Sequence, residues 1–144
     1  MNPLDVLKDE HAQIDIELME LEAVMEDSEI NYPNLIHCSK NFCEIWNRHE
    51  EKEEKIFRVF EKERIKVPVE KMTCEHKDLR EHIKKIWEAI NSGSEFEVKK
   101  ALKKDLKELI SKIRKHKDDE DEVLYTIARQ EFTPEEWKEM SKYV

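Results

Sequence analysis

Two stretches of the chain set an imidazole and a carboxylate one helical turn apart. They are His49 with Glu53 in "WNRHEEKEEKIF" (46–57) and His116 with Glu120 in "HKDDEDEVLY" (116–125). Residues four apart point the same way from a helix. Two further histidines, His11 and His76, interrupt apolar stripes of helical spacing. One histidine on such a stripe is ordinarily a satisfied core residue. Burying four imidazoles and two carboxylates without compensation is very unfavourable, so the set must either pair with itself or hold a cation. Imidazole with carboxylate suits iron, manganese or zinc. No cysteine shares these faces, which excludes a thiolate zinc site. Two carboxylates among four histidines suit two ions, because a carboxylate can bridge a pair, and helical-bundle cores host such sites. The order His-x-x-x-Glu, used twice, differs from the Glu-x-x-His of ferritin-like di-iron proteins.

The elements that must position these groups read as helices. Leu4, Leu7, His11, Ile14, Leu18, Leu21 and Met25 form the first stripe, with Asn2 able to cap and Pro3 fitting the first turn. "EDSEINYP" breaks it. A second helix runs from about Asn34 to Glu63 with Leu35, Phe42, Trp46, His49, Glu53, Ile56 and Phe60 on one face. "KERIKVP" is the next break, and Pro68 restarts a helix carrying Val69, Met72, His76, Leu79, Ile83, Ile86 and Ile90. "NSGSE" is a turn, with Gly93 near the helix end and Ser94 as the next cap. The fourth stripe is Leu102, Leu106, Leu109, Ile113, His116, Glu120, Val123 and Ile127. "TPEE" opens a short last helix with a Thr133–Glu136 capping box.

Short connections between long amphipathic helices predict antiparallel neighbours. The expected fold is all-α: an up-down-up-down four-helix bundle over about 3–130, a short C-terminal helix over about 133–143, and one domain spanning 1–144. At about 1.5 Å per residue, His11 and His76 lie roughly 12 and 10 Å from the starts of their helices. Glu53 and Glu120 lie roughly 14–15 Å from the ends of theirs. In an antiparallel bundle all six groups then fall into one layer.

The 144 residues include one glycine, with 42% charged and 38% hydrophobic residues and a net charge of −9. The charge argues against nucleic-acid binding and against an anionic membrane surface. No apolar run approaches the length of a membrane span. "MNPLDVLKDEH" lacks the apolar region of a signal peptide. Cys38, Cys43 and Cys74 cannot all pair within the chain, so free thiols in a reducing cytoplasm are expected.

The motifs "LKDEHAQI" (7–14), "HEEKEEKIF" (49–57), "EHKDL" (75–79) and "HKDDEDEVLY" (116–125), in this order, resemble the hemerythrin-like, or HHE cation-binding, family. The resemblance implies a bundle with a non-haem centre of two iron ions, zinc or manganese being less expected. His11, His49, His76 and His116 would be terminal ligands, with Glu53 and Glu120 as bridges. Asp121 rivals Glu120, since hemerythrins themselves carry an aspartate five residues after the fourth-helix histidine. The run of 116, 120, 123 and 127 on one stripe favours Glu120.

Hemerythrins also have His-x-x-x-His in the third helix, whereas Arg80 follows His76 here, and His82 lies too far round the helix to replace it. Glu50 is the candidate replacement. "His-Glu-x-x-Glu" with a single third-helix histidine looks like the hemerythrin-like domain of the iron-sensing F-box ubiquitin-ligase subunit. The function implied is binding of dioxygen, a small diatomic or peroxide, or sensing of oxygen or iron. The alternative is a di-iron peroxidase, oxidase or nitric-oxide-stress repair enzyme. Nothing in the sequence names a protein partner. His37 reads as a surface residue or one behind a ligand, Cys74 points elsewhere, Tyr125 and Trp46 read as core residues, and the lysines around 99–117 as a solvated helix face.

Overall fold

The computed structural model describes residues 3–62 and 68–144. Among them every regular element is helical. The long helices are α1 (Pro3–Glu26), α2 (Tyr32–Lys62) and α3 (Val69–Asn91). A fourth, α4, is one helical run over 95–131, and α5 (Pro134–Met140) closes the chain. No described helix is long and apolar enough to cross a membrane.

The helix ends follow local chemistry. α2 begins at Tyr32, two residues earlier than the sequence suggested. Pro33 is no breaker there, because the first turn needs no backbone donor from it. Asn31 accepts from the Asn34 amide at 3.1 Å and caps the helix. α3 begins at Val69, with Pro68 just outside it. The Asn2 cap and most of the "KERIKVP" break lie outside the described residues. Gly93 takes a φ of +72° after α3, a conformation that favours glycine. Ser94 then caps α4 by accepting from the Glu97 amide, and the Thr133–Glu136 capping box forms as expected.

Cross-helix ion pairs show how the helices run. From α3 to α4 the partners are Lys71–Asp119, Glu75–His116, Asp78–Lys112 and His82–Asp105, so the numbers climb on one helix as they fall on the other. Asp5–Arg129, Asp15–Lys117 and Glu22–Arg114 do the same between α1 and α4. α1 packs along α2, and α5 folds back onto α2.

The apolar core is divided in two. One half gathers Ile14, Leu18, Phe42, Trp46, Leu79 and Ile113. The other gathers Leu7, Ile56, Phe57, Met72, Leu124 and Tyr125, with Phe132 and Met140 brought in by the C-terminal segment. On every long helix the polar residues sit between the halves: His11 between Leu7 and Ile14, His49 and Glu53 between Trp46 and Ile56, His76 between Met72 and Leu79, His116 and Glu120 between Ile113 and Leu124. The common depth inferred from helix lengths is thus present in the packing.

Assignments on three of the stripes need correction. Val24 is buried and Met25 only half so. In α3, Ile83 and Ile90 are half-buried while His82 is buried. The largest change is in α4, which contains two π-helical turns, Leu102–Leu106 and Glu120–Leu124. A π turn adds a residue and rotates everything beyond it. Val123, expected inside, is 44% exposed, whereas Leu124, Tyr125 and Ala128 are buried.

Candidate metal centre

All six groups expected in the layer are buried there. They form two sets whose ligand atoms lie within 4.8 Å of one another: His11, His49, Glu53 and Glu120, and Glu53, His76, His116 and Glu120. The two carboxylates belong to both sets. Oε1 of Glu53 lies between Nε2 of His49, at 3.0 Å, and Nε2 of His76, at 3.4 Å. Oε1 of Glu120 lies between Nε2 of His116, at 2.8 Å, and Nε2 of His11, at 3.8 Å. The two histidine pairs, His11–His49 and His76–His116, each hold their ring centroids 4.7 Å apart. Trp46 walls the layer on one side, edge-on to His76 and His116, and Phe57 stacks on His76 from the other.

The inward atoms converge without satisfying one another. Oε1 of Glu53, Oε1 of Glu120, Nε2 of His76 and Nε2 of His116 are all buried and make no hydrogen bond. Nε2 of His11 and Nε2 of His49 face each other at 3.0 Å. Buried polar atoms are almost always paired, so four unpartnered inward atoms converging beside the His11–His49 contact fit a cation site. The donor set of imidazoles and carboxylates fits borderline divalent metals. No cysteine joins these sets: Cys38 is buried elsewhere, Cys43 accepts from the Trp87 indole, and Cys74 is exposed.

The outer ring nitrogens meet carboxylates, of which the sequence pointed only to Asp121, and to that as a rival bridge. Nδ1 of His49 donates to Glu10 at 3.0 Å, Nδ1 of His116 to Glu75 at 2.5 Å, and Nδ1 of His11 to Asp121 at 3.2 Å. Glu54 faces Nδ1 of His76 at 3.5 Å. The pattern repeats between the two helix pairs. The glutamate just before the α1 and α3 histidines, Glu10 and Glu75, serves the histidine of the next helix. The acid just after the α2 and α4 glutamates, Glu54 and Asp121, faces the histidine of α3 and of α1, respectively. "EH" at 10–11 and again at 75–76 was the available signal. A carboxylate on the outer nitrogen fixes the tautomer and aims the other nitrogen inward. Asp121 is therefore on the outside of His11, and Glu120 on the inside.

The family model for the Hemerythrin HHE cation binding domain matches residues 2–128. The chain belongs to this family. No curated protein and no solved structure among those compared matches it. Cation binding is the property the HHE family shares, and the buried His/Glu sets are where this member has the ligands for it.

Within this HHE domain the charges lean on one another. Burial alone would push His49 toward its neutral form, but Glu53 and the hydrogen bond to Glu10 outweigh it and raise His49 to about 9. Burial would raise Glu53, yet His49 and His76 hold it well below the usual carboxylate range. Burial lowers His116. Tyr125 is a further residue the sequence reading did not place in the site. Its hydroxyl donates to Oε2 of Glu53 at 2.9 Å and lies 3.2 Å from Oε2 of Glu120, and its ring stacks on His11. Burial and the Glu53 charge push the phenol well above its ordinary value, so it remains a donor.

Glu50 is in neither set. It is buried, bonded through Oε1 to Arg80, and grouped with Glu54 and His76. His82 is turned away from the centre and pairs with Asp105 and Lys112. His37 is exposed beside Asn41.

Proposed function

We propose that the chain is a cytoplasmic non-haem di-iron protein, a single domain built as an up-down-up-down four-helix bundle. It binds dioxygen or a related small ligand, or senses oxygen or iron. The observation that carries this reading is the sharing of Glu53 and Glu120 by two sets of histidines. One carboxylate from α2 and one from α4 stand between His11 and His49 on one side and His76 and His116 on the other. A single-ion site would not need two shared carboxylates with a histidine pair on each flank.

The two irons, when bound, supply reversible one-electron chemistry at each ion toward a diatomic or peroxide ligand. The protein's part is to hold and exclude. The Nδ1 carboxylates lock His11, His49 and His116 in the tautomer that leaves Nε2 free. Tyr125 steadies the outer oxygens of both shared carboxylates. Leu7, Ile14, Phe57, Leu79 and Ile113 are buried around the layer and would keep water from a metal held there. Glu50, with Oε2 buried and unpartnered, stands as a candidate seventh ligand in place of the histidine absent at position 80. That arrangement is the basis of the likeness to the iron-sensing F-box hemerythrin-like domain.

The deciding experiment is an anaerobic spectrum of iron-loaded protein, before and after oxygen, with metal analysis on the same sample. Two irons per chain and a charge-transfer band that appears with oxygen and disappears on degassing are expected. Less than one iron with stoichiometric zinc would defeat the reading. One observation favours the second reading, an oxidase, peroxidase or nitric-oxide-stress enzyme. Arg80 takes the place of a ligand, which leaves the His76 side of the centre with one histidine fewer and more open to turnover. Rapid bleaching in air or repeated turnover of peroxide would select it.

A further inference from the structure

His76 differs from the other three buried histidines. Both of its ring nitrogens lack a hydrogen-bond partner, although the side chain is fully buried. Nε2 faces Glu53 in the centre, while Nδ1 faces the opposite way, toward Oε1 of Glu54 at 3.5 Å. On that side stands a second acid, Glu50, itself buried with Oε2 unpartnered. Glu50, Glu54 and His76 each offer a ligand atom within 4.8 Å of the others. Arg80 closes the position from outside, bonded to Glu50 and 3.3 Å from Oε1 of Glu54, with 48% of its side chain in solvent.

We infer that Glu50, Glu54 and Nδ1 of His76 form an outer docking position for a divalent transition-metal cation bound for the inner centre, and that Arg80 is the counter-ion the arriving cation displaces. Only the destination of the ion rests on the two-ion reading above. The donors are the same mixture of imidazole and carboxylate that suits iron, manganese, cobalt or zinc. Two carboxylates beside a buried imidazole need a positive charge, and Arg80 supplies one in the metal-free protein. A dication cannot share the position with a guanidinium a few ångströms away, since like charges at that range repel strongly outside bulk water. Arg80 is half in solvent on a long flexible stem, so it can leave without opening the core.

The chemistry of imidazole makes the position transient. A neutral ring has one free lone pair and one N–H. While the cation is on Nδ1, the proton sits on Nε2 and can face Glu53. With the cation inward, Nε2 is the ligand and the N–H is on Nδ1, facing Glu54. His76 therefore serves the outer or the inner position, not both. Glu50, bonded to Arg80 through Oε1 with Oε2 unpartnered, can follow the ion inward.

The test is the rate at which metal-free protein takes up Co2+, followed anaerobically by stopped-flow absorption, in the natural chain and in the Glu54→Gln, Arg80→Gln and Glu51→Gln variants. Glu54→Gln should slow uptake about tenfold, and Arg80→Gln should speed it several-fold, in the range of electrostatic effects on association. Glu51 is exposed on the same helix and removes the same charge, so Glu51→Gln should stay within about twofold of the natural rate. Uptake in Glu54→Gln and Arg80→Gln at the natural rate would overturn the inference, as would equal slowing in Glu54→Gln and Glu51→Gln. The Co2+ count at saturation reports separately on the inner centre. Fewer than two per chain in the natural protein defeats the two-ion reading, whatever the rates show.

Discussion

The hydroxyl of Tyr125 lies 2.9 Å from Oε2 of Glu53 on another helix, and one extra residue in the backbone puts it there. The π turn Glu120–Leu124 rotates the end of α4 so that position 125, rather than 123, faces the core. The turn thus gives one helix both a shared carboxylate and the phenol that steadies it.

Removing that donor should be costly. Tyr125→Phe leaves a buried carboxylate oxygen of Glu53 without its donor, which typically costs about 1–3 kcal/mol. Urea unfolding of the metal-free variant should show a lower midpoint with an unchanged slope. An unchanged midpoint would mean the phenol merely fills space.

The rotated register can be tested by itself. Leu124→Ala should destabilise by about 2–5 kcal/mol, as for a core leucine. Val123→Ala should stay within about 0.5 kcal/mol, as for a surface site. If the two variants were reversed, α4 would run through this region as an unbroken α-helix.

The shared carboxylates should be needed for the second ion. Glu53→Ala and Glu120→Ala should each hold no more than one iron per chain after loading and desalting, with helicity retained by circular dichroism. Two irons in either variant would remove that residue from its bridging role.

Asp121 should behave differently from its neighbour. It touches the outer nitrogen of His11, so Asp121→Asn should keep two irons at saturation while weakening affinity about 10–100-fold, as for other carboxylates behind a metal-binding histidine. Competition with a chelator measures this. Loss of the second ion outright would make Asp121 the bridge instead of Glu120.

The acidity of the layer sets a pH profile for the metal-free protein. His49 titrates at about 9 in the fold against 6.5 for an ordinary histidine. Its contribution to stability is therefore complete below about pH 6.5 and is lost as pH rises through about 9. Glu53, lowered by its histidine partners, has the opposite sign and loses its contribution as pH falls below the ordinary 4.5. His116, lowered by burial, adds to the acid-side loss below 6.5. Urea midpoints should fall between pH 6.5 and 9, and the fall should be absent in His49→Gln. Because Nε2 must be free of its proton to ligate, iron binding near pH 7 should release protons and tighten toward pH 9. A flat alkaline limb in the natural chain would refute the His49 assignment.

The sequence by itself determined the helices and the depth of the layer. Stripe spacing, one glycine, and capping residues such as Ser94 and Thr133 depend only on neighbours a few residues away, and such local rules survive folding. Four histidines and two glutamates on apolar faces were legible for the same reason: at 3.6 residues per turn, spacing fixes direction. Pro33 was misread because a proline in a first turn and a proline in a break look alike until the cap before it is seen. The π turn in α4 was hidden because its extra residue leaves no mark in composition, and it carried Val123 out, while Tyr125 is in the core as expected.

What only the tertiary structure decided was the partnership across helices. Glu10, Glu54 and Glu75 look like ordinary surface acids in an acidic chain, and Asp121 like a rival bridge. Each acquires its meaning from an imidazole on a different helix, and no spacing along the chain encodes that distance. Glu50 and Arg80 are the clearest case. The sequence presented a glutamate in an acidic run and an arginine where a histidine was expected. Packing α2 against α3 joined them into an ion pair over the unpartnered nitrogen of His76.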